Sequence, residues 1–313
     1  MRKYILSRLL QLIPILFGIT FLTFGMMQFA ADDAVDKIFE QSGSVSEEVK
    51  SAKRAELGLD KPFLIQYASW LKNFLLGDLG KSFISGELVF ETFAEKLPAT
   101  FELMTFSILL TIFIATPLGI FSAVNQNKFV DYLIRFCSFV GNSMPNFFVG
   151  LLLIYFLALK LNLLPVISSG KNFSAVIMPA LTLTIAMSSK YVRQIRAVVL
   201  EELGADYVTG ARSRGISEIK ILTNHVLRKV LIVIITLLAL SIGNLLGGTA
   251  IVETIFMWDG VGKLAVDAIL SKDYPLIQAY VVWMSIIFVA VNLVADLLAR
   301  YLNPHLKIGG DSA

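Results

Sequence analysis

The chain has 313 residues, of which 56% are hydrophobic and only 16% charged, and its mean hydropathy is +0.73. These values exclude an ordinary soluble globular protein and indicate an integral membrane protein. The net charge of +3 is too small to indicate a nucleic-acid partner. Its distribution along the chain instead follows a membrane topology.

Six stretches lack Asp, Glu, Lys and Arg and are long enough to cross the roughly 30 Å of a bilayer core as helices. All six are longer than the strands of a membrane barrel, so the sequence predicts an all-α bundle of six transmembrane helices. The fourth is the shortest. They are Leu9–Ala31, Leu103–Val124, Phe136–Leu159, Asn172–Ser189, Val230–Val252 and Tyr274–Ala295.

The first span follows Arg2, Lys3 and Arg8, as the apolar core of a signal peptide would. Its apolar run is about twice as long as such a core, which has roughly 7–15 residues. We therefore predict that residues 1–31 form a retained anchor helix.

The distribution of Lys and Arg predicts the orientation. With the N-terminus in the cytoplasm, the inner segments 1–8, 125–135, 190–229 and 296–313 hold 15 of the 27 Lys and Arg but only 7 of the 24 Asp and Glu. Positive residues favour the cytoplasmic side. We therefore expect both termini in the cytoplasm, with lipid surrounding the chain.

Residues 32–96 form the one sizeable outer segment. Ser46 precedes Glu47 and Glu48 as a helix N-cap would, and the amphipathic stretch Pro62–Leu76 suits a helix at the level of the lipid headgroups. The segment has too few apolar residues for a core of its own. We expect a cap on the bundle.

Helix-breaking residues interrupt the spans. Pro117, Pro145 and Pro179 each remove a backbone hydrogen bond. Three glycines in the fifth span permit close helix approach or local unwinding. Ordinary packing and bending explain each residue alone, whereas together they are typical of a moving bundle. The pore and gating candidates are Pro145, Asn146, Gly243, Gly247 and Gly248.

Catalytic and metal-binding patterns are missing from the sequence. The two histidines, His225 and His305, lie outside the spans, and no zinc, nucleophile–histidine or Walker A pattern is present. We expect no metal site, no bound cofactor and no enzymatic activity. Glu102, which we place at a helix N-terminus, and Asp296 lie at span edges. An ion-coupled carrier needs ionisable groups inside the membrane, so an energy source in another polypeptide is favoured over that alternative and over a membrane enzyme.

The cytoplasmic segment 190–229 is long and polar for so apolar a chain. Asp206 to Arg214 is predicted to form a short helix that Gly215 ends, and Ser217 with Glu218 is predicted to begin the next. A solvated basic loop and a projection gripped by a partner are both open interpretations. The small residues favour the second, with apolar or ionic contacts offered by Tyr207, Val208, Gly210, Ala211, Arg212, Arg214 and Ile216.

The stretch Asp206–Gly215, Asp-Tyr-Val-Thr-Gly-Ala-Arg-Ser-Arg-Gly, resembles the cytoplasmic loop of ABC importer permeases in their peptide and nickel branch. Other stretches resemble the same branch in the same order, so the resemblance covers almost the whole chain. They are Glu56–Pro62, Gly77–Gly80, Leu97–Leu103, Ser143–Phe147, Glu253–Gly262 and Asp273–Gln278. The chain departs from the branch at Val233, where a proline is usual.

The resemblance implies a type I importer fold, with residues 97–300 as the transmembrane domain and 301–313 as a cytoplasmic tail. It also implies a homologous second permease, two cytoplasmic ATP-binding subunits and an external substrate-binding protein as partners. The coupling helix that docks on an ATP-binding subunit would be Asp206–Ser217. Nickel or a metal chelate is the substrate that the short segment 161–174 favours, with di- or oligopeptides as the alternative.

Overall fold

The computed structural model of the chain describes residues 2–29, 33–40, 45–167 and 173–302. In these ranges helices are the only extended regular elements, beside one isolated antiparallel bridge between Lys81 and Leu88. The prediction of an all-α protein is confirmed. Most of the expected tail, with His305, lies outside the described residues.

The α-helices are numbered in chain order, and two π-helical stretches lie between them, at Ile154–Lys160 and Leu222–Val226. The helices are α1 (Arg2–Gln28), α2 (Ala34–Phe39), α3 (Glu47–Leu57), α4 (Phe63–Leu75), α5 (Val89–Val124), α6 (Phe129–Ser143), α7 (Asn146–Leu153), α8 (Phe173–Leu203), α9 (Asp206–Ser213), α10 (Glu218–Ile221), α11 (Leu227–Ile255), α12 (Val261–Ser271) and α13 (Tyr274–Leu302).

Among the described residues, five helices are long and apolar enough to span a membrane, and a bent pair makes a sixth candidate. The predicted third span is that pair, α6 and α7, which meet at 106°. Met144 and Pro145 are both extended at the bend, with ψ of 130° and 142°. Proline lacks an N–H and disfavours a helical residue before it, which explains the break. By contrast, α5 and α8 continue through Pro117 and Pro179.

One predicted helix boundary is wrong. Helix α5 begins at Val89, well before the predicted second span, so Glu102 is an exposed residue inside the helix and does not face its N-terminus. The extra turns carry polar residues such as Glu91, Glu95 and Lys96. A count of uncharged residues therefore finds the apolar part of a helix and not its ends.

The chain divides into two compact units, Met1–Thr100 with Asp259–Ala290 and Phe101–Trp258 with Val291–Ala313. In the first, Tyr67 of α4 is buried against α1: its ring meets Phe21 edge-on at 5.2 Å, and its hydroxyl lies 3.1 Å from that of Thr20. The helix predicted at Pro62–Leu76 thus exists, as α4, and packs on α1.

An ionic cluster joins α2 to α3 in the same unit. Arg54 donates to Asp33 at 2.6 Å and to Asp36 at 3.1 Å, and Lys50 lies 3.1 Å from Asp36. These interactions hold the pKa of Asp36 below its usual value although burial opposes them. Ser46 has the extended backbone of an N-cap, as predicted, but its side chain makes no capping hydrogen bond.

In the second unit, α8 is the helix that the others surround. Of its most apolar window 67% is buried, against 12–33% for the other candidate spans. Gly119 of α5 approaches it so closely that an added Cβ would lie 2.8 Å from Ile195, and Gly141 of α6 meets Ser189 even more tightly. Small residues on the neighbouring helices thus allow α8 to be enclosed.

A buried ion pair fastens α6 to α8. The carboxylate of Asp131 is fully buried and accepts two hydrogen bonds of 2.7 Å from Arg196. The Ser122 hydroxyl, at 2.6 Å, and the Asn127 amide, at 3.0 Å, also donate to it. Since every contact donates to the carboxylate, the buried charge is compensated as burial requires.

We predict that Arg196→Ala destabilises the protein by about 3 kcal/mol, because it leaves a buried carboxylate without its counter-ion. Arg193→Ala is the matched control: Arg193 lies one turn away on α8, is exposed, and donates to the Ser138 carbonyl and to Asn142 of α6, both at 3.2 Å. Thermal unfolding in detergent should show a clearly larger fall in Tm for Arg196→Ala. Equal falls would contradict the role given to the ion pair.

We also predict that acid loosens α3 from α2. A carboxyl whose folded pKa is lowered stabilises the fold above its unfolded pKa, near 3.8 for Asp36, and this contribution is lost as the pH falls through the lower folded value. Hydrogen exchange of α3 amides, corrected for the intrinsic rate at each pH, should show opening roughly two- to fivefold more frequent at pH 3 than at pH 7. Asp36→Asn should remove most of this difference, and an unchanged difference would exclude Asp36 as the cause.

Candidate functional site

The polar segment 190–229 folds as the sequence predicts. Helix α9 begins after Ala205, whose backbone is extended, and α10 begins after the extended Ser217. Between them Gly215 has a φ of +77°, a left-handed conformation that residues with a Cβ adopt at a cost. The predicted helix, break and second helix are all present.

Two residues assigned to a partner-facing surface point inward instead. Val208 and Ala211 are 0% and 2% exposed and belong to one hydrophobic cluster with Ile195 and Val199 of α8 and Val230 of α11. Ile216 is partly buried against the same cluster. The prediction that Val208 and Ala211 offer an apolar contact to a partner is therefore wrong, whereas Ile216 keeps part of its surface exposed. The spacing of three residues between Val208 and Ala211 marks the face with which α9 is anchored.

Both ends of α9 are tied to neighbouring segments. The Tyr207 hydroxyl donates to Glu202 at 2.5 Å across the turn after α8. Burial and this carboxylate raise the pKa of Tyr207 to about 12, so its hydroxyl remains a donor at neutral pH. Arg212 bonds to Glu218 of α10 at 2.6 Å across the Gly215 turn. Arg212, predicted as a partner contact, therefore closes this turn within the chain.

The outer face of α9 is formed by Asp206, Thr209, Gly210 and Ser213, which are all exposed and follow helical spacing. A Cβ added at Gly210 would have no atom within 4 Å. Arg214, which bonds back to the Gly210 carbonyl at 3.2 Å, and Gly215 and Ser217 are also exposed. This face is exposed, while the opposite face is packed.

A cavity of about 180 Å³ in the same unit brings together two of the five pore candidates, Asn146 of α7 and Gly248 of α11. Asn142 of α6, Lys190 of α8 and Ser241 of α11 also line it. Pro145 adjoins it as the N-cap residue of α7, whereas Gly243 and Gly247 are not part of its lining. The polar residues at 142, 190 and 241 were missed because each is single and far from the others in the sequence.

The expected effect of the α11 glycines is not observed. Helix α11 is continuous through Gly243, Gly247 and Gly248, and Cβ atoms added at the last two would touch nothing within 4 Å. Among the described residues of this chain, neither unwinding nor close approach occurs at Gly247 or Gly248. The tight glycines, Gly119 and Gly141, lie on α5 and α6, where they face α8.

Within the described ranges, no group of three or more His, Cys, Asp or Glu side chains is arranged to hold a metal ion. Cys137 is exposed on α6 and unbridged. Two features in the described part of this unit fit an interaction: the outer face of α9 and the cavity lined by Asn142, Asn146 and Lys190.

Known proteins match the chain over its whole length. The family described as "Binding-protein-dependent transport system inner membrane component" matches residues 115–308, and the N-terminal family of the same components matches residues 1–104. The solved MetNI methionine ABC transporter, in inward-facing conformations, shares the fold: it superposes with a TM-score of 0.56 at 13% identity, over 68% of this chain and 97% of that chain.

Three similar relatives are named as permeases. The oligopeptide transport system permease protein AppB of Bacillus subtilis is 36% identical over 98% of this chain and all of its own length. The nickel import system permease protein NikB of Staphylococcus aureus is 35% identical over 98% and 92%, and the metal-staphylopine import system permease protein CntB of that species is 32% identical over 99% of both. The chain therefore belongs to the family of inner-membrane components of binding-protein-dependent transport systems.

Proposed function

We propose that this chain forms half of the translocation pore of an ATP-driven importer and that the outer face of α9 docks on a cytoplasmic ATP-binding subunit. The observation that carries this proposal is the anchoring of α9. Its inner face is buried by Val208 and Ala211, and its ends are tied through Tyr207 and Arg212. Force applied to a helix held in this way moves the helices behind it.

The proposal includes partners that supply what this chain lacks. A second, homologous permease completes the pore, two ATP-binding subunits hydrolyse ATP, and an external binding protein delivers the substrate. Family membership supports this composition in general terms, since the family is named for binding-protein-dependent transport. The chain itself would bind no nucleotide and no cofactor.

We propose nickel or a metal chelate as the substrate, with di- or oligopeptides as the second candidate. The relatives NikB and CntB, named for nickel and metal-staphylopine import, support the first. The similarity to AppB, named for oligopeptide transport, supports the second. An ion-coupled carrier is disfavoured, because the buried carboxylates of the described residues already have partners within the chain. Arg196 pairs with Asp131. Asp273 accepts hydrogen bonds from Ser82 and the Phe83 amide, and Glu253 is not free either.

We further propose that the chain is a multi-pass protein of the prokaryotic cytoplasmic membrane with both termini inside. Alkaline phosphatase is active only outside the cytoplasm, so a fusion after Leu76 should be active and a fusion after Gly215 inactive. The reverse activities would show that the orientation is inverted and that α9 lies on the wrong side for ATP-binding subunits.

The docking role is tested with Gly210→Leu, since a Cβ added at this exposed position would have no neighbouring atom within 4 Å. Overpacking a close interface costs about 1–3 kcal/mol, so the affinity for the ATP-binding subunits should fall on the order of tenfold. The measurement is co-purification of these subunits with the tagged permease at limiting concentration.

Ala52→Leu is the matched control, because Ala52 is an exposed residue of α3 in the segment that we propose to be extracytoplasmic. It should leave co-purification unchanged. Equal recovery of the ATP-binding subunits with Gly210→Leu and Ala52→Leu would refute the docking assignment. Ala211→Leu is unsuitable as a test, because Ala211 is buried and its enlargement disturbs the fold itself.

A further inference from the structure

The cavity of the second unit has a mixed lining, in which a few polar groups lie beside apolar walls supplied by Leu183, Ala186, Met187 and Leu245. Asn142 and Asn146 contribute carboxamides, and Lys190 contributes an ammonium group. Ser241, only 6% exposed, accepts a hydrogen bond of 2.8 Å from Tyr191. Its own hydroxyl proton therefore remains available for a bond to another group.

The electrostatic sign of the cavity is positive. Lys190 is the charged residue in its lining, and no Asp or Glu is among the residues that line it. Arg193, one turn further along α8, donates to Asn142 at 3.2 Å. This bond orients the Asn142 side chain and places a second cation beside the cavity.

Helix α7 adds to the positive electrostatic potential of the cavity. It begins at Asn146, directly on the cavity, and its first intrahelical bonds run from the Phe148 and Val149 amides to the Pro145 carbonyl. The amides of the first turn are therefore at the positive end of the helix dipole. The extended backbone at Pro145 exposes this helix start in the middle of the predicted third span.

We propose that this cavity is a carboxylate-binding subsite of the translocation path, with Lys190 as its principal charge. It follows that the importer moves carboxylate-bearing organic solutes, either peptides or metal ions inside carboxylate chelates, and not hydrated metal cations. A bare cation would be repelled by Lys190 and would find no cluster of ligands in the described part of the chain. The inference rests on the proposed importer function and specifies its substrate class.

The test uses the complete importer in its host cell, with the gene for this chain replaced by Lys190→Gln or Lys190→Arg. Uptake is measured with four probes: radioactive nickel as the hydrated ion, the same nickel as its citrate complex, trialanine, and trialanine amide. The two carboxylate probes separate a chelate from a peptide. Lys128→Gln removes an exposed lysine outside the cavity and controls for the general loss of positive charge.

We expect uptake of one carboxylate probe in the wild type. We expect Lys190→Gln to lower it on the order of tenfold at subsaturating concentration, as for the loss of a charge-assisted hydrogen bond. Lys190→Arg should retain most uptake, and Lys128→Gln all of it. Unchanged uptake with Lys190→Gln, or wild-type uptake restricted to hydrated nickel or to the amide, would overturn the inference.

A failure of the proposed importer function gives a different result from a failure of the carboxylate subsite. Co-purification of the ATP-binding subunits is measured for every variant. If these subunits do not associate with the wild-type chain, the importer assignment itself fails. If they associate equally with all variants while Lys190→Gln transports normally, only the carboxylate subsite is refuted.

Discussion

The ion pair between Asp131 and Arg196 is the interaction on which the second unit depends. A buried carboxylate must be paired in this environment, and pairing fixes the start of α6 against α8. Arg193 makes a second connection one turn away, to Ser138 and Asn142. These contacts fix the position of α6 relative to α8. The bend at Pro145 and the start of α7 beside the cavity are therefore fixed as well.

Helix α8 connects both proposed sites. Lys190 lines the cavity, and Leu203 ends the helix just before α9, a separation of about 20 Å at 1.5 Å per residue. Val208 and Ala211 of α9 pack in the same hydrophobic cluster as Ile195 and Val199 of α8. A displacement of α9 therefore reaches the cavity through one continuous helix, as alternating access by rigid elements requires.

Much of this arrangement was predictable from the sequence, and the errors have physical causes. Long uncharged stretches predicted the spans, because a helix that crosses a bilayer must be apolar over its length. Gly215 and Ser217 predicted the turn beside α9. The predicted span that corresponds to α8 was the shortest uncharged stretch. Helix α8 is enclosed by protein, so it needs no continuous apolar surface. Val208 and Ala211 were mistaken for a partner surface because apolar residues on a short helix show only that one face is buried. The sequence does not show whether that face is buried by the same chain or by another protein.

The central claim is that α8 and α9 move as one rigid body when ATP is bound. Double electron–electron resonance tests it directly in the assembled importer, after Cys137 is replaced by serine. The spin labels are placed at Gln194 of α8 and at Lys220 of α10, which the Arg212–Glu218 pair ties to α9; both positions are exposed and lie outside the docking face. The account predicts the same distance distribution in nucleotide-free and nucleotide-trapped states. A shift of more than about 5 Å, one helical turn, would contradict it.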